Sequence, residues 1–142
     1  MQNDPLIADS DSPRQTLTAG QLNAAIARSV VGIHSRFAGR GPTKAQAFFR
    51  HNFVVVVMED AMTTLERSLA REGDSAAVLA TRRQLQEAMR TALVADVERL
   101  TGCRVLAFMS ANNIDPDLSA ELFVLDRSIA DERPDAVPTA PA

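Results

Sequence analysis

Phe53-Val54-Val55-Val56-Val57-Met58, closed by Glu59-Asp60, is the stretch whose reading decides the fold. Four consecutive β-branched residues favour a strand, because their stiff χ1 angles suit a pleated, packed surface better than a helix. The run stops far short of the ~20 apolar residues that a membrane-spanning helix requires. An apolar strand without alternation is expected to be covered on both faces, which places it centrally in a sheet.

Just upstream, Thr43 to Arg50 alternates, with Ala45, Ala47 and Phe49 on one side and Lys44, Gln46 and Phe48 on the other. His51-Asn52 is the turn between the two runs, so they should form an antiparallel hairpin, with Asn suited to a left-handed turn position. Before them, Thr18-Ala19-Gly20-Gln21 has the pattern of a helix capping box. Leu22, Ile26, Val30, Ile33 and Phe37 follow at spacings of three and four, one face of an amphipathic helix. Gly39 and Pro42 end it. Residues 1–16 carry Asp4, Asp9, Asp11 and two prolines without an apolar period, and read as a disordered arm.

Downstream, Thr63 and Glu66 offer a second capping box, opening a short helix to about Arg71 that buries Leu65 and Leu69. Asp74-Ser75 then caps a long helix ending at Gly102. Its buried stripe is Val78, Leu85, Met89, Leu93, Val97 and Leu100, with Arg82, Arg83, Glu87, Arg90 and Glu98 facing out. At about 25 residues it would span nearly ~40 Å, more than a small sheet needs. It is therefore expected to break once or to pack partly on a second subunit. Arg104–Ser110 and Ser119–Asp126 form a second hairpin around the loop Ala111–Asp117, and residues 127–142 are a Pro-rich disordered tail. The sum is a single α+β domain over residues 17–126, in the order α-β-β-α-α-β-β. A mostly antiparallel four-stranded sheet, built from two hairpins, is covered by the N-terminal helix and the long central helix.

Composition bounds what such a domain does. The chain has 142 residues, 46% of them apolar, enough for one domain with a real core. Its net charge of -3 comes from the ends, because 12 basic and 12 acidic residues balance between Leu17 and Asp126. There is no Trp and no Tyr. A neutral body with Phe as its sole aromatic residue argues against a nucleic-acid partner. Nothing resembles a secretory leader or a membrane span, so the expected location is the cytoplasm. The single Cys103 excludes an internal disulfide and a multi-cysteine metal site, and reads as a small buried hydrophobe.

Catalytic patterns are thin. His34 falls at the edge of the first helix stripe and His51 in a turn, and neither belongs to a metal-ligand spacing. No metal, no cofactor and no catalytic residue is expected, since nothing supplies a nucleophile with its base. Glu59 and Asp60 suit the dipole of the helix that follows. Gly39-Arg40-Gly41-Pro42-Thr43-Lys44 lacks phosphate-loop spacing and precedes a strand rather than a helix. Arg36, Arg40, Lys44 and Arg50 still make a local basic group, either a solvated face or a contact for a small anion or metabolite. The oxygen-rich Asn112, Asn113, Asp115 and Asp117 lack the glycine and distal glutamate of a calcium loop.

Four stretches together resemble a bacterial family. They are Phe37-Ala38-Gly39-Arg40-Gly41-Pro42, Leu65-Glu66-Arg67-Ser68-Leu69, Leu100-Thr101-Gly102-Cys103-Arg104-Val105 and Glu121-Leu122-Phe123-Val124-Leu125-Asp126. The chain is similar over about Leu22 to Asp126 to the MpsC family. The resemblance implies a small soluble component of a membrane-potential-generating ion or bicarbonate transport system, whose integral subunits are separate proteins. It implies an accessory or regulatory role through protein–protein contact, with no catalytic residues to carry over. The expected partners are a second copy of the chain, as a dimer, and membrane transport subunits.

Overall fold

The computed structural model describes residues 17–129, and the helices and strands follow the expected order. Thr18 caps α1 (Ala19–Ala38) through the anticipated box, its hydroxyl accepting from the Gln21 N–H at 3.1 Å while Gln21 Oε1 accepts from the Thr18 N–H at 3.0 Å. Gly39 closes α1 with a left-handed φ of 79°. The hairpin follows as β1 (Lys44–Arg50) and β2 (Phe53–Glu59), with Arg50 paired to Phe53. His51 rather than Asn52 takes the left-handed turn position, at φ 54°.

Thr63 and Glu66 form the second capping box at the start of α2 (Thr64–Arg71). Thr63→Ala is expected to cost about 1 kcal/mol, read as a melting temperature roughly 3 °C lower in a thermal scan. Next comes α3 (Ser75–Thr101), a continuous helix of 27 residues. Its length is used within the chain. Arg82 meets Glu66 on α2, Gln86 bonds Asn112 in the sheet, and Asp96 accepts from Ser29 on α1. The helix does not break.

The second hairpin is β3 (Val105–Asn113) and β4 (Leu118–Leu125). The expected loop from Ala111 is shorter than its composition suggested, because Ala111, Asn112 and Asn113 pair with Ala120, Ser119 and Leu118. The four strands run antiparallel in the order β1-β2-β4-β3, so the valine strand is indeed central.

It is not covered on both faces. Short hairpin turns keep neighbouring strands in one sheet, and both α1 and α3 lie on the same side of it. Val54, Val56 and Met58 point to the helices and are fully buried, whereas Val55 and Val57 point away and are half-buried. The core is Leu22, Ile26, Val30 and Ile33 of α1 and Met89, Leu93 and Val97 of α3, laid over Val54, Val56, Phe123 and Leu125. Each such side chain contributes about 1.5–3 kcal/mol by leaving water. The Phe108 and Phe123 rings meet with centroids 5.0 Å apart, a favoured tilted contact.

Four expected side-chain placements are corrected. Phe37 is exposed, because the last turn of α1 runs past the apolar layer. Leu65 is 66% exposed while Glu66, the next residue, is buried. Arg82 is buried rather than outward, since the inward line of α3 is Val78, Arg82, Gln86, Met89, Leu93, Val97 and Thr101. Ile129 is buried, its N–H donating to the His51 carbonyl at 3.0 Å, so packing continues past Asp126. The arm expected over 1–16 and the tail from 130 onward lie outside the described residues.

Candidate functional site

The four basic residues singled out in the sequence run from the last turn of α1 to the far end of β1. Arg36 lies in the last turn of α1 with its guanidinium 5.4 Å from the Phe37 ring centroid. Arg40 is a structural clamp: it donates to the carbonyls of Asp60 and Met62, and its Nη2 lies 3.2 Å from Asp60 Oδ2. Lys44 pairs with Glu59 across the hairpin at 3.7 Å. Arg50 stands at the other end of β1, roughly 20 Å away along the strand. Glu59 and Asp60 are therefore ion-pair partners, Asp60 holding Arg67 as well as Arg40.

A different polar group is gathered under the helices. The helix-facing positions of β4 are Ser119, Glu121, Phe123 and Leu125, so one half of the core floor is polar. Glu121 is 0% exposed. Ser110 of β3 donates to its Oε2, and His34 of α1 places Nε2 at 3.9 Å from its Oε1. The other ring nitrogen of His34 lies 3.1 Å from the Val30 carbonyl, a geometry that holds Nδ1 protonated and turns the Nε2 lone pair toward Glu121.

Beside them Arg82 Nε approaches Glu66 Oε2 at 2.9 Å, and its Nη2 lies 3.9 Å from Asp117 Oδ1. The approach is Coulombic rather than an aligned hydrogen bond, and both terminal guanidinium nitrogens lack a hydrogen-bond acceptor. Glu66 Oε1 is occupied by Thr63, accepting from its N–H at 3.2 Å and its hydroxyl at 2.9 Å. On the other side Gln86 and Asn112 exchange amide hydrogen bonds at 2.9 and 3.0 Å, and the Ser119 hydroxyl donates to Asn112 at 3.0 Å.

Burial dominates the protonation of Glu121 and His34. It pushes the Glu121 carboxyl up to about 7, against the opposing pull of the Ser110 hydroxyl and the Arg82 charge. It holds His34 below its ordinary value, with the Val30 hydrogen bond opposing and Arg82 reinforcing. The pair sets an acid that keeps its proton to near neutral pH beside an imidazole that burial favours neutral, with no hydrogen bond between them. A cleft of about 340 Å³ between α3 and β3 reaches its edge through Ser110, with Arg83, Arg90, Gln86 and Asn112 on its walls. Glu121 itself is fully buried and does not line that cleft. Sequence periodicity did not reveal the cluster, because Arg82 reads as helix surface, Glu121 as strand alternation, Glu66 as a capping residue and Asn112 and Asp117 as loop.

The second feature is the open side of the sheet. Opposite registers place Phe48 beside Val55, Val55 beside Leu122, and Leu122 beside Met109 in one row across all four strands. Phe53 and Val124 form the next row. Phe48 is 53%, Phe53 45% and Met109 50% exposed. Polar side chains are confined to the margin, at Lys44, Gln46, Arg50, Glu59 and Asn113.

Fold and site together define a small α+β domain with two helices on one face of an antiparallel sheet, a sealed polar cluster beneath them and an apolar face left open. Residues 18–127 match the family model described as Na+-translocating membrane potential-generating system (MpsC), and the chain belongs to that family. No curated protein and no solved structure matches the chain.

Proposed function

We propose that this chain is a non-enzymatic accessory component that acts by protein–protein contact within a membrane-potential-generating ion transport system. The observation that carries this reading is the apolar open face of the sheet, a surface of the kind that marks association sites when its margin is polar. Family membership supports the association with a sodium-translocating system. The buried placement of Glu121 and His34 supports a structural and proton-holding role for them rather than catalysis. Among the described residues no helix is long and apolar enough to cross a membrane. In this reading the chain works from the cytoplasmic side through a partner, first a second copy of itself and then the integral subunits.

The alternative, a small-anion sensor at Arg36, Arg40, Lys44 and Arg50, would require Arg40 to leave Asp60 and Lys44 to leave Glu59. The test is co-purification of the tagged chain from membranes of its own host at native expression. Ion-transport subunits should be enriched with the wild-type chain and reduced at least about 10-fold with Phe48→Lys/Met109→Lys, a loss of the size expected when charge enters an apolar contact. Equal recovery with both chains, or no transport subunit with either, would refute it.

A further inference from the structure

We infer that the open face of the sheet is the seat of a second copy of this chain, the two sheets stacking face to face. The inference rests on the protein–protein reading above and names the first partner.

A solvated face of an antiparallel sheet alternates polar residues with the buried ones. On the two central strands that alternation is missing: the outward positions are Val55 and Val57 on β2 and Leu122 and Val124 on β4. No described segment of the chain lies over them.

The size fits a partner sheet. Four strands spaced by ~4.8 Å and about seven residues long at ~3.4 Å per residue give a projected face of roughly 450 Å². Side-chain relief raises the accessible area above the projection, so two such faces bury on the order of 1,000–1,500 Å² in total, about what a stable association needs. Stacked sheets interdigitate at a separation of about 10 Å, which Phe48, Phe53 and Met109 standing off the surface are long enough to fill.

The margin carries few charges, Lys44 paired with Glu59 at one end of the hairpin and Arg50 at the other. A membrane surface would instead favour a strongly basic margin, which this face lacks.

The full chain should sediment at twice its monomer mass between about 1 and 100 µM, a range that brackets micromolar affinity. Phe48→Lys and Met109→Lys lie on the exposed sides of the two edge strands, where neither touches the helix-covered core. Each should weaken self-association on the order of 100-fold with an unchanged far-UV spectrum, because a twofold interface meets every substitution twice. Leu79→Lys, on the solvent side of α3, should leave the dimer intact. A wild-type monomer at about 100 µM would overturn the inference, as would a dimer that survives both sheet variants but dissociates with Leu79→Lys. A monomer that floats with phosphatidylserine-containing vesicles would overturn it in favour of a lipid surface. A monomer that still recovers transport subunits would overturn the stacking and leave the accessory reading standing.

Discussion

Replacing Arg82 with methionine is expected to remove about 3–5 kcal/mol of folding stability, a large share of what a domain of this size holds. Arg82 and Glu66 are both buried, and the arginine is the cation closest to Glu66, at 2.9 Å. Taking it away strands the Glu66 carboxylate, whose second oxygen has no hydrogen-bond donor, and also unbalances Asp117 at 3.9 Å. The loss measures an uncompensated buried charge rather than the net value of the pair. A second substitution separates the two. Glu66→Gln keeps the capping box with Thr63 while removing the charge, so Arg82→Met/Glu66→Gln should recover most of the lost stability in urea unfolding. A double variant as unstable as Arg82→Met alone would assign Arg82 to packing instead.

Glu121→Gln should stabilise the protein above neutral pH by up to about 3 kcal/mol and leave it nearly unchanged below about pH 4, where the wild-type carboxyl is protonated in both the folded and the unfolded state. The direction follows from the two states. In the unfolded chain this carboxyl ionises near 4.5, and burial raises it to about 7 in the fold. Between those values the folded state binds the additional proton, so wild-type stability falls as pH rises through the window and levels off above it. His34 acts oppositely. Its folded value lies below 6.5, chiefly through burial, so the unfolded chain takes up the additional proton and stability falls as pH drops below 6.5. In the wild type the two slopes oppose each other. Once Glu121→Gln has removed the acid only the His34 slope is left, and stability should rise with pH toward 7. Urea unfolding at half-unit pH steps reads this directly; a variant whose profile parallels the wild type would remove Glu121 from the titration.

The architecture was legible because its cues are local. Capping boxes at Thr18 and Thr63, the left-handed glycines Gly39 and Gly102, and the β-branched run from Val54 to Val57 are each set by neighbouring residues. What escaped was long-range. Val55 and Val57 look as buried in sequence as Val54 and Val56, and only the placement of α1 and α3 on one side distinguishes them. Arg82 and Gln86 read as the polar face of α3 because arginine and glutamine usually are, yet they share its inward line with Val78 and Met89. Glu121 sits among apolar neighbours on β4 as a simple alternation, and its environment comes from His34, Ser110 and Arg82, far from it in the chain. In the basic group around Arg40, the extended strand sets Lys44 and Arg50 at opposite ends of β1, while Asp60 and Glu59 pair with Arg40 and Lys44.

The most direct measurement is methyl NMR of the full chain in the presence of a soluble paramagnetic agent. At a concentration where the protein self-associates, the methyls of Val55, Val57, Leu122 and Val124 should be shielded nearly as well as those of Val54 and Leu125 in the core. Phe48→Lys/Met109→Lys should expose the first group and leave the second unchanged. Equal bleaching of the open-face methyls and the exposed Leu65 methyls in the wild-type protein would contradict a covered face, and with it the role of this sheet as the surface through which the protein works.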